Sequence, residues 1–153
     1  MDKALFLKND LVTHIRSLPE DTKGRWGKMN LQQMTEHMSN EGFRWASGKV
    51  PNTLHTPEEH VPKMQEFLRS EKMFRENTVN ALMPVEPLPL RNAGMPEALE
   101  ELQTEIDYFF AVYEQEPDKK VLGPFFGELD YELWVLLLYK HSLHHLKQFG
   151  VNI

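Results

Sequence analysis

The chain has no cysteine. That absence removes disulfide staples, thiolate metal sites and a cysteine nucleophile together. Any metal held here must be held by nitrogen and oxygen. Positive charge is not in excess either: 17 Lys and Arg against 23 Asp and Glu give a formal net charge of −6. A phosphate backbone would be repelled, so nucleic acid is not an expected partner. No apolar run approaches the length that spans a bilayer, and the opening MDKALFLKND has no apolar core with a cleavage site. A membrane partner is therefore not expected, and a soluble cytoplasmic protein is. Internal repeats, low-complexity tracts and any strand-type alternation long enough to make a sheet are missing as well.

What is present is an ordinary globular share of hydrophobic residues, 41% of 153, which is material for one core and one domain, 1–153. The chain is organised around Asp130 to Gly150, DYELWVLLLYKHSLHHLKQFG. Asp130 is a competent N-cap, nothing breaks the run before Gly150, and a glycine there suits a left-handed helix end. Leu133 to Tyr139 are apolar or aromatic throughout, so this helix is expected to face several neighbours. Into it the sequence places His141, His144 and His145. His141 and His145 are four apart and share a face, which continues from Trp134 and Leu137/Leu138 and runs on to Gln148. Two imidazoles on a buried face are costly to desolvate unless something binds them, and a metal ion is the commonest reason for the pair. His144 is rotated ~100° from His145 and should point elsewhere.

The other elements follow from the same logic. Leu7, Leu11 and Ile15 predict a first helix from Lys3 to Ser17, closed by Pro19; His14 beside that stripe reads as a boundary residue. After a loop over 18–29, Asn30 and Gln33 have capping-box spacing, and Met34, Met38 and Trp45 mark the face of a second helix. His37 lies on that face with Glu41 one turn on. Alone, His37 reads as a core histidine bonded to a polar neighbour; beside a second helix with two facing histidines it becomes a third ligand. Residues 47–95 form a long, partly irregular connection. Within it, Thr56-Pro57-Glu58-Glu59 predicts a short helix with Thr56 as its cap. Pro84, Pro87, Pro89 and Pro96 exclude regular helix over 77–96. Connections of this length are more often lids or binding loops than plain linkers, so this one is expected to cross the mouth of the site; His55 and His60 read as surface residues unless it does. Pro96 opens a third long helix, ended by Pro117, and the Phe125–Phe126 pair of the following connection should fold back on the helices. Four long helical patterns and one short one imply an all-α, antiparallel four-helix bundle.

Trp26 to Ser39 (WGKMNLQQMTEHMS) and Gly123 to Val151 (GPFFGELDYELWVLLLYKHSLHHLKQFGV) resemble the two signature blocks of the DinB-like superfamily. Within it the resemblance is closest to a bacterial domain family of unknown function. TPEEHVPKM and PLPLRNAGMPEALEELQTEIDYFF extend the likeness over nearly the whole chain. The resemblance implies a four-helix bundle with a three-histidine metal site, carried onto His37, His141 and His145, with Gln148 matching the polar residue that follows the last ligand. His144 matches no ligand position, and Gly123 stands where some relatives have a histidine. Better-studied relatives are thiol-dependent S-transferases or metal-dependent hydrolases, which implies a low-molecular-weight thiol as a further cofactor.

Three protein ligands leave a divalent ion an open position, the pattern of a catalytic site. Zinc is the leading ion, and nickel or iron(II) also accepts such ligands. Glu41, Gln148 and Trp134 are the expected neighbours of the site. A metal-dependent transferase or hydrolase acting on a small molecule is one expectation. The other is a bundle, with or without metal, that binds or serves a stress response without chemistry of its own. No general acid, base or nucleophile can be named, and oligomeric state, a homodimer included, is left open.

Overall fold

The computed structural model of the chain describes residues 2–76 and 86–153. Helix dominates it. Lys3–Leu5, Phe6–Asp10 and Leu11–Arg16 run on in helical dihedrals and together form α1, with Phe6–Asp10 wound as π-helix. Its predicted stripe of Leu7, Leu11 and Ile15 is buried. Leu31–Met38, Ser39–Phe43 and Arg44–Ala46 form α2. Asn30 Oδ1 accepts from the Gln33 backbone at 2.7 Å while the Asn30 N–H donates to Gln33 Oε1 at 2.9 Å, closing the capping box. Within α2 the Ser39–Phe43 turn is π-type and Glu41 leaves helical dihedrals (φ −114°, ψ 15°). Such a turn adds a residue to the ring of the hydrogen bond and re-aims the side chains on it.

The short helix α3, Val61–Arg69, is entered through a 3-10 turn at Glu58–His60. Thr56 does not cap it, contrary to the sequence expectation. Its hydroxyl donates to the Phe125 carbonyl at 2.8 Å, so a tertiary partner takes the group that local geometry would have used. Helix α4, Met95–Gln115, has proline in its first turn, and α5 covers Tyr131–Gln148. Asp130 Oδ1 accepts from Leu133 N at 2.9 Å at one end of α5. At the other, Gly150 has φ +89°, its N–H reaches the Lys147 carbonyl and that of Val151 reaches Leu146, which is a Schellman close.

The chain is not purely helical. Val121–Gly123 (β1) and Gly127–Leu129 (β2) pair antiparallel, with Leu122 opposite Glu128. Three residues per strand are too few to show alternation in a sequence, which is why the pattern is silent there. Gly127 has φ +80°, and a Cβ there would stand 2.6 Å from Val61 Cγ1, so both the turn and its approach to α3 require glycine. Gln65 on α3 donates to the Phe126 and Glu128 carbonyls, fixing the hairpin to that helix. Phe126 is buried and Phe125 packs against the core, in line with the sequence expectation.

Helix α4 packs on α1 and α2, and α5 packs on α1 and α3. The core these contacts enclose includes Leu102, Ile106 and Phe109 of α4 and Leu133, Trp134 and Leu138 of α5. Each large apolar side chain so buried contributes roughly 1.5–3 kcal/mol relative to exposure. Among the described residues no helix is long and apolar enough to cross a membrane.

Candidate metal centre

Helix α2 presents His37 just before its π turn, and α5 presents His141 and His145 one turn apart. Their rings meet. His37 Nε2 lies 3.0 Å from His141 Nε2, which lies 2.9 Å from His145 Nε2. The rings stand nearly perpendicular, at 82°, 80° and 73° pairwise. His145 is buried and the other two are partly buried.

The placement of protons decides what this arrangement can be. Gln148 Nε2 donates to the Trp26 carbonyl at 2.9 Å, so the oxygen of the same amide is the atom 2.7 Å from His145 Nδ1. A carbonyl oxygen only accepts; His145 Nδ1 therefore carries the proton and Nε2 a lone pair. His37 Nδ1 lies 2.9 Å from Glu41 Oε1. The carboxylate accepts there too, so His37 Nδ1 carries a proton and Nε2 is the ring atom turned to the other histidines. The two residues are four apart, the spacing at which helical side chains are neighbours. His141 has one proton at most to offer two neighbours at contact distance. An additional proton is disfavoured: burial, and then the charges of His145 and His37, hold His141 well below the ordinary histidine range. His145 is held down by burial and by His37, against the pull of its bond to Gln148. With the charged forms of His141 and His145 disfavoured, the converging ring nitrogens form a donor set that a cation would satisfy. In a tetrahedral zinc site with bonds of ~2.0–2.1 Å the nitrogens stand ~3.3 Å apart; the two pairs through His141 stand at 2.9–3.0 Å, and all three ligand atoms lie within 4.8 Å of one another.

The histidines open onto a cleft of about 210 Å³, lined on one side by His37, His145 and Gln148 and on the other by Pro87, Leu88 and Pro89. Glu36 holds that second wall. Its buried carboxylate accepts from the backbones of Arg91 (2.7 Å) and Asn92 (3.1 Å) and from the side chains of Gln32 and Asn92. Burial alone would raise this carboxyl, and the four donors more than offset it, keeping it below its ordinary value. Sequence reasoning missed Glu36: it shares a helix face with Gln32, Gln33 and Asn40, where a glutamate reads as solvated.

Three sequence expectations need adjustment. Trp134 is not beside the histidines. It lies two turns before His141 on α5, buried under the hairpin, where its Nε1 donates to the Val121 carbonyl at 3.2 Å. Its ring leaves only 3.2 Å for a Cβ at Gly123. Sharing a helical stripe placed it on the right face and at the wrong height. His144 does not join the other three, as expected, yet it does not point away from the site. A rotation of one residue brings it to the rim of the same cleft, between Trp26 and Phe74. The long connection divides. His55 to Gln65 is bound to the hairpin, residues 86–89 and Arg91 line the cleft, and the middle of the expected lid, 77–85, lies outside the described residues. His55 and His60 are exposed, and His14 is half-buried beside Phe6.

Comparison with known proteins finds no family model, curated protein or solved structure that matches this chain.

Proposed function

We propose that the chain is a DinB-like four-helix bundle that binds one divalent metal ion through His37, His141 and His145, and that the site is catalytic, of the thiol-transferase or hydrolase type. The observation that carries the metal reading is the convergence itself: ligand nitrogens of three histidines from two helices lie within 4.8 Å of one another, with His37 Nδ1 and His145 Nδ1 each turned to an oxygen acceptor. Zinc is the leading ion because neutral imidazoles suit it, and nickel or iron(II) fits the same donors. When bound, such an ion supplies Lewis-acid character. Glu41 and Gln148 then act as positioning residues that fix the tautomers of His37 and His145. The cleft supports the enzyme reading over a binding module without chemistry, since a sealed structural site leaves no room for substrate.

The test is elemental analysis of protein purified without chelators or an immobilised-metal column, followed by titration of stripped protein with cobalt(II). One ion per chain is expected in the wild type and none in His145→Ala. Gln148→Leu should bind ten- to a hundredfold more weakly, the usual effect of losing such a ligand partner. Equal cobalt binding by wild type and His145→Ala refutes the metal site.

A further inference from the structure

We infer that the cleft selects an uncharged, largely apolar small molecule that presents one donor atom toward the histidines; this rests on the metal reading above. Every charged side chain lining the cleft already has a partner within the protein. Glu41 is held by His37 and Glu36 by four N–H donors. Arg91 grips Glu101 through both terminal nitrogens, and Lys28 pairs with Glu86 at the rim. A ligand with a charged body would have to break one of these pairs or enter desolvated and unpaired, and either outcome opposes binding.

What the cleft offers instead is apolar surface. Trp26 and Met29 come from the loop before α2, and Pro87, Leu88 and Pro89 face the histidines from the other wall. Leu88 is 45% exposed and its neighbour Leu90 48%. Of the two, Leu88 lines the cleft, between Pro87 and Pro89. The backbone of that segment is fixed: Glu36 holds Arg91 and Asn92, and Gln33 donates to the Leu88 carbonyl. Leu88 is therefore presented on a preformed wall. At about 210 Å³ the cleft is smaller than the ~300–1,000 Å³ typical of drug-sized ligands, so the molecule is small.

The experiment uses three hydroxamates that share one metal-binding group and differ in the charge of the body: benzohydroxamate (neutral, apolar), succinate monohydroxamate (anionic) and β-alanine hydroxamate (cationic). Each is titrated into cobalt(II)-loaded wild type and followed by the visible spectrum. Benzohydroxamate should bind about tenfold tighter than either charged probe, the worth of roughly two buried methylene groups. Leu88→Asp should remove most of that preference without changing cobalt affinity, while Leu5→Asp, exposed elsewhere, should leave both unchanged. Equal binding of the three probes, or tighter binding of a charged one, overturns the inference and leaves the metal site standing. Failure of the wild type to take up cobalt overturns the metal reading itself, and the selectivity with it.

Discussion

Helix α5 has two halves that do opposite things. From Tyr131 to Leu138 its buried positions are Leu133, Trp134, Val135 and Leu138; from Tyr139 to Gln148 they are Lys140, Ser142, His145, Leu146 and Gln148. The first half is a core segment that gains by leaving water. The second buries polar groups and must find each a partner. Lys140 donates to the Ser70 and Lys72 carbonyls and sits over the Phe67 ring; burial and the charge of Lys3 lower its pKa, while Glu71 acts the other way. Gln148 spans His145 and Trp26, and Ser142 Oγ has no partner among the described residues. The comparison teaches where stability and chemistry are kept: the first half supplies burial energy that lets the second carry costly groups in a fixed arrangement.

The largest effect should come from breaking the first half. Trp134→Ala removes a fully buried indole, its bond to Val121 and the support under Gly123. A loss of about 3–5 kcal/mol is expected, read as a lower urea midpoint with the transition still cooperative. Because Trp134 lies two turns from His141, any population that stays folded should retain full cobalt stoichiometry. A folded Trp134→Ala protein that has lost its metal would mean the halves are not separable.

A drop in pH should act on the second half alone. Unfolded histidines protonate near 6.5. His141 and His145 are depressed well below that in the folded state, so between those values the unfolded chain binds protons that the native one refuses. Stability of the metal-stripped protein must therefore fall as pH falls below about 6.5, with both histidines acting in the same direction. His144, lowered by burial as its largest cause, acts in the same direction. Glu36 is depressed too, but as a carboxyl its contribution is lost only as pH falls through its lowered value, well below this window. Urea midpoints of stripped protein at pH 8, 7, 6 and 5 check this, and a flat profile from 7 to 5 contradicts it.

Much of the second half is legible in the sequence. Helical spacing puts His141 and His145 on one face, and the site needs only α2 to arrive opposite them. The caps Asn30, Asp130 and Gly150 can be read because each bonds within four residues of itself. What stays hidden depends on distant partners. Nothing local to Thr56 announces the Phe125 carbonyl that takes its hydroxyl, and nothing local to Glu36 announces the Arg91 and Asn92 backbones it holds. The hairpin is invisible because its register is imposed from outside, by Gln65 and Trp134. Trp134 itself shows the limit of a stripe: spacing gives a face, while the height of a site along it depends on which neighbour crosses where.

The smallest effect is expected from the substitution nearest the chemistry. His141→Ala in stripped protein at pH 8 deletes one of three imidazoles that crowd each other. It loses packing against Leu138 and Gly42, and it also relieves two close nitrogen contacts and the burial of a polar ring. These terms oppose each other, so the midpoint should move by less than about 1 kcal/mol relative to stripped wild type. Loaded wild type should stand well above both, by about 2.7 kcal/mol when free metal is a hundred times its dissociation constant, and His141→Ala should gain nothing from added metal. That pattern belongs to a scaffold that folds by itself and holds its ion in an open position. Should the stripped wild type prove molten, with a cooperative transition restored only by metal, the ion would be structural, the polar half of α5 would be part of the folding core after all, and the enzyme reading would lose its main support.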